Sequence, residues 1–99
     1  MSNLNLEDRY VEFIKDTISS VLDDVEIYIF GSRTQDKSIE YSDVDIALKS
    51  KNQIEFDKIL DLRSAFSNST FPYKVDIIDL NNIDEKFYNI IKDDLYKIL

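Results

Sequence analysis

Between Leu6 and Leu22 the apolar residues Leu6, Tyr10, Phe13, Ile14, Ile18, Val21 and Leu22 recur at steps of three and four, which is one face of an amphipathic helix. Asn5 stands at the expected N-cap, and Glu7 and Asp8 complement the positive end of the helix dipole. The next apolar run, Val25 to Phe30, is β-branched and aromatic, too short for a helix, and stops at Gly31, so it predicts a strand. Both of its alternating sets, Ile27/Ile29 and Tyr28/Phe30, are apolar, which predicts cover on both faces and a central place in the sheet. Ser42 to Lys49 predicts a second strand, with Val44, Ile46 and Leu48 on one face and Asp43, Asp45 and Ala47 on the other. Gln53 to Phe66 has helical spacing, with Phe56, Ile59, Leu60 and Phe66 near one face, and turn-forming residues follow around Asn68 and Pro72. Tyr73 to Leu80 predicts a third strand, and from Ile83 onward Phe87, Ile90, Ile91, Leu95 and Ile98 keep helical spacing.

With a short element after Gly31, the order α-β-α-β-α-β-α predicts an α/β (α+β) fold in which helices cover a small mixed sheet of about three strands. Residues 1–99 fit one domain, and the 43% hydrophobic and 32% charged content are those of a folded globular chain. No apolar run approaches the roughly 18 residues of a membrane span. The opening MSNLNLEDRY is polar and acidic where a signal peptide is basic and then apolar, so a cytoplasmic location is expected.

The chain has no cysteine and no histidine. That excludes disulfides, thiolate or histidine metal sites, cysteine nucleophiles and a Ser-His-Asp triad. Carboxylates remain for acid-base or metal work, and oxygen-only ligation favours Mg²⁺, Mn²⁺ or Ca²⁺. A net charge of −8 repels duplex nucleic acid but suits a basic protein, or a nucleotide carried in with its Mg²⁺.

The chemistry concentrates in FGSRTQDKSIEYSDVDIAL, Phe30 to Leu48. Gly31 at a strand end lets the backbone turn and a ligand approach, and a helical turn starting at Ser32 would aim free N–H groups at a phosphate. Alone, Gly-Ser reads first as a strand stop and N-cap. Asp43 and Asp45, two apart on a strand, project from one face about 6–7 Å apart. Their repulsion calls for a cation between them, unless they only line a solvated face. Asp76 changes the balance: its neighbours Val75, Ile77 and Ile78 predict a buried carboxylate, which needs a partner such as a metal ion. Asp79, nearer the strand end, reads as a turn or cap residue.

Together, FGSRTQDKSIEYSDVDIAL and KVDIIDL resemble the signature of the DNA polymerase β-like nucleotidyltransferase superfamily: an apolar residue and Gly-Ser, a spacer, Asp-x-Asp, and a third Asp on a later strand. The short G-S-R form is similar to the minimal nucleotidyltransferases (MNT), commonly the antitoxins of HEPN-domain toxins. The resemblance implies that Gly31 and Ser32 contact nucleotide phosphates and that Arg33 is the family arginine, its other reading being an ion pair with one of the acids. It further implies that Asp43, Asp45 and Asp76 hold Mg²⁺, two ions or Mn²⁺ in its place, with Asp76 also activating the attacking hydroxyl. The implied reaction is transfer of AMP from ATP to a hydroxyl, a tyrosine of the HEPN toxin, within a hetero-oligomer or homo-oligomer. Two other readings stay open: a non-catalytic antitoxin that covers a basic partner, and a small-molecule nucleotidyltransferase of the aminoglycoside-modifying kind. Thr34, Gln35 and Asp36 follow Arg33 where the family often has a second glycine.

Overall fold

The VEIYIF run forms the first strand, Glu26–Phe30 (β1), whose alternation sends Ile27 and Ile29 into one layer and Tyr28 and Phe30 into the other. The computed structural model describes residues 4, 6–31 and 43–99. Beside β1 lie Val44–Lys49 (β2), Val75–Asp79 (β3) and Tyr96–Lys97 (β4), in the sheet order β3-β2-β1-β4. β2 runs antiparallel to β1, as expected for strands joined through a return loop, and Phe30 faces Asp45 in the register. β2 and β3 are parallel, with Asp45 beside Asp76. A parallel pair needs a crossover connection, and the helix Phe56–Ser67 (α2) supplies it.

One layer of the sheet is covered by α2 and by the helix Asp8–Ser19 (α1). Ile14, Ile18 and Leu62 from these helices are fully buried against Ile27, Ile29, Val44, Ile46 and Leu48. Each such side chain contributes about 1.5–3 kcal/mol by leaving water. Phe13 and Phe66 join Phe71, which meets Tyr10 and Tyr73 edge-on, so aromatic rings tie α1, α2 and the approach to β3 together. Asn5, the expected cap, lies outside the described residues, and the N-cap position of α1 is Glu7.

Three expectations are corrected. Phe56 and Leu60, placed on the buried face of α2, are exposed, while Leu62 is buried. Ile59, Leu62 and Phe66 define that face, and Leu60 is turned about 100° from Ile59. The closing helix spans only Glu85–Ile91 (α3), and a 3-10 turn, Lys92–Asp94, leads into β4. Among the described residues the sheet therefore has four strands, one more than the expected three or so. Leu95 packs in one layer and Ile98 in the other, because a separation of three residues, which reads as helical, also puts side chains on opposite faces of an extended chain. Pairing decides between the two. Ile98 N–H donates to Ile27 O at 2.8 Å and Ile27 N–H to Leu99 O at 3.0 Å, satisfying backbone groups along the edge of β1 that a helix would leave open.

Candidate active site

β1 delivers the chain to Gly31, which has φ +80°, in the left-handed region that glycine adopts without a Cβ penalty. A Cβ at this position would collide with Oδ2 of Asp45. The glycine is thus needed twice, for the turn and for the space the Asp45 carboxylate fills. Ser32, Arg33 and the rest of the predicted phosphate loop lie outside the described residues.

Asp45 points from the layer of β2 opposite the large core, beside Gly31 on one side and Asp76 on the other. It is half-buried, whereas Asp43, one residue before β2, and Asp76 are exposed. Burial holds the Asp45 carboxyl above the usual aspartate range, and the negative charges of Asp76 and Asp43 push it the same way. The structure therefore brings Gly31, Asp43, Asp45 and Asp76 to one end of one sheet face. The expectation that Asp76 is buried is corrected: among the described residues β3 is an edge strand, and Asp76 is exposed on it.

The donor set suits a hard divalent cation: carboxylate oxygens only, crowded enough to repel one another. Among the described residues no three carboxylates form a ready-made cation cage. Asp45 sits half-buried beside Gly31, and Asp43 and Asp76 are the exposed carboxylates next to it.

Asp79 plays the cap role its position suggests, and it is buried as well. Its two oxygens accept from Ile54 N–H at 2.7 Å and Asn81 N–H at 2.9 Å, which satisfies a buried carboxylate and pins the chain after β2 to the end of β3. The sequence reading missed the small cluster on the Asp45 layer of the sheet, where Phe30 and Ala47 pack with Ile91 of α3. Its signal was Ala47, a small residue in a strand of larger ones, which leaves room for Ile91. A groove of about 570 Å³ lined by Tyr28, Lys49, Asn81, Tyr88 and Lys92 lies toward the other end of the same face, and none of the three aspartates lines it.

Residues 12–96 match the family model described as polymerase beta, nucleotidyltransferase. The chain is 31% identical over 91 residues, 92% of its own length and 80% of the relative's, to the probable protein adenylyltransferase MntA of Haemophilus influenzae. Its fold is similar to that in a complex of tri-AMPylated Shewanella oneidensis HEPN toxin with MNT antitoxin, with a TM-score of 0.74 at 19% identity over 95% of this chain and 72% of that one. A toxin-antitoxin structure with AMP-PNP gives a TM-score of 0.78 at 20% identity, over 90% of this chain and 72% of that one. The two solved structures show a shared fold. The glycine turn, the aspartates gathered beside it and the match over most of the sequence agree, and the chain belongs to the polymerase β nucleotidyltransferase family.

Proposed function

We propose that the chain is an Mg²⁺-dependent adenylyltransferase that moves AMP from ATP to a hydroxyl, a tyrosine, of a HEPN-domain partner. It acts as that partner's antitoxin, as a one-domain unit in the cytoplasm. The observation that carries this reading is the contact between the Gly31 turn and Asp45, with Asp76 as the neighbour of Asp45 in the sheet. Such an arrangement suits nucleotidyl transfer because a phosphate and a metal-binding carboxylate must meet within a few ångströms. Support for AMP and for a protein acceptor comes from the name of the Haemophilus relative and from the tri-AMPylated toxin in the Shewanella complex. Among the described residues no helix is long and apolar enough to cross a membrane.

In this reading Gly31, Ser32 and Arg33 hold the phosphates, Asp43 and Asp45 hold Mg²⁺, and Asp76 completes the metal site. A divalent cation held by these carboxylates would supply polarisation of the phosphoryl oxygens and offset the charge on the leaving pyrophosphate. The acceptor oxygen forms a bond to the α-phosphorus as the bond from that phosphorus to the bridging oxygen breaks. Pyrophosphate leaves, and the hydroxyl proton passes to a carboxylate, a role we give to Asp76. Fixing the acceptor and the nucleotide in line lowers the barrier by positioning, the main resource in phosphoryl chemistry.

Intact-mass spectrometry of a HEPN-domain partner, after incubation with this chain, ATP and Mg²⁺, tests the proposal. The expected result is a mass gain of one or more adenylyl units that disappears with EDTA or with Asp45→Asn. An unmodified partner at full enzyme and nucleotide concentration sinks it.

A further inference from the structure

The three aspartates mark where a phosphate would react, but a protein acceptor also needs a surface that holds it there. The helix α3 lies on the same sheet layer as Asp45, anchored by Ile91, which packs with Phe30 and Ala47. Phe30 faces Asp45 across the register and Ala47 follows it by two residues on β2, so Ile91 sits beside the catalytic end of the sheet. Its neighbour Ile90 turns outward and is 72% exposed, and Phe87, one helical turn back on the same face, is 36% exposed. Two large apolar side chains thus stand together on the helix whose Ile91 packs with Phe30 and Ala47, while most of the large apolar residues among those described are covered.

The charges around this pair say what kind of surface it meets. From 84 to 94 the chain carries Asp84, Glu85, Asp93 and Asp94 against Lys86 and Lys92. Asp43, Asp45 and Asp76 add further negative charge at the catalytic end of the layer. An apolar centre in an acidic surround is complementary to a basic surface with an apolar spot, and like-charged partners are repelled.

We propose that the exposed face of α3, centred on Phe87 and Ile90, is the platform on which a basic acceptor protein docks to present its hydroxyl to Asp45 and Asp76. The assignment rests on the function proposed above, which it extends by naming the surface and the charge of the partner. The exposed pair Phe56 and Leu60 is the other candidate. It belongs to α2, whose buried side chains pack in the opposite layer, away from the aspartates, so a protein bound there would have to reach around the sheet.

The test measures the affinity of a purified HEPN-domain partner, without nucleotide, for the wild type, Ile90→Lys, Ile90→Asp, Ile90→Met, Phe87→Gln and Phe56→Ser. Ile90→Lys is expected to weaken binding about tenfold or more, because it removes an apolar anchor and adds a charge of the partner's sign. Ile90→Asp should weaken it less, Ile90→Met should stay within about twofold, and Phe56→Ser should leave it unchanged. Phe87→Gln should also weaken it, and melting curves for both positions check that the fold is kept. In AMP transfer, Ile90→Lys should raise the KM for the partner and leave that for ATP unchanged. Wild-type affinity in Ile90→Lys, a loss confined to Phe56→Ser, or loss of a homodimer with partner binding intact would each overturn the platform. If the partner binds in an Ile90-dependent way but is never adenylylated, the enzymatic reading falls and the platform stands.

Discussion

Gly31→Ala separates the two reasons for the only glycine in the chain. At φ +80° an alanine pays the left-handed strain of an L-residue, about 1–2 kcal/mol, with nothing on the folded side to offset it. Its Cβ also meets Oδ2 of Asp45. That oxygen ends a rotatable side chain, so the overlap is relieved by turning the carboxylate and adds little to the stability cost. In a domain of this size a loss of 1 kcal/mol lowers Tm by roughly 4–8 °C. Activity suffers differently, since moving a catalytic group by about 1 Å can cost about a hundredfold. Gly31→Asn is the control. Asparagine tolerates positive φ better than alanine but brings the same Cβ, so most of the stability should return and the activity should not. The assays are thermal melts and kcat/KM for AMP transfer. An alanine variant with wild-type Tm and wild-type transfer would refute the reasoning, as would an asparagine variant that recovers both.

Three further outcomes follow from particular contacts. Asp45→Asn removes a half-buried charge from beside Asp76; with carboxylates about 5 Å apart the repulsion is near 0.8 kcal/mol at the permittivity of water, so stability should rise on the order of 1 kcal/mol while transfer is lost. A lower melting temperature in that variant contradicts the crowding. Asp79→Ala leaves the N–H groups of Ile54 and Asn81 without their acceptor and should cost about 1–3 kcal/mol in urea unfolding, a cost that must vanish if water replaces the carboxylate. Glu26 is held below the usual glutamate range by the hydrogen bond from Lys97 and by its charge. Because the folded value is the lower one, this contribution is present above the unfolded pKa of about 4.3 and is lost as pH falls through the folded value, so Glu26→Gln should flatten the acid limb of Tm against pH. An unchanged acid limb would show that the pair between β1 and β4 has no influence on stability.

The parts of the molecule readable from sequence were those fixed locally. VEIYIF has the β-branched and aromatic composition of a central strand, and Gly31 ends it because no other residue takes that turn without strain. Asp45 belongs to the next strand with a two-residue period, so its face could be read from Val44, Ile46 and Leu48 on the other side. The neighbour relation of Asp45 to Asp76 was not readable in this way. It depends on the parallel placement of β3, set by a crossover through α2 rather than by any local pattern. The exposure of Asp76 goes with the same placement, since among the described residues β3 stands at the edge of the sheet. At the other end, the helical spacing of Ile90, Ile91, Leu95 and Ile98 was genuine, but seven more residues of helix, to Ile98, would have left the edge of β1 unpaired.

The central claim is that Gly31, Asp43, Asp45 and Asp76 form one site for AMP transfer. The most direct measurement supplies ATP labelled at the α-phosphate, with Mg²⁺, to the wild type and to Asp43→Asn/Asp45→Asn in the presence of the HEPN partner. Label should move to the partner with the wild type and stay on nucleotide with the double variant, whose fold is confirmed by an equal or higher Tm. Label that reaches the partner equally with both proteins would contradict the account.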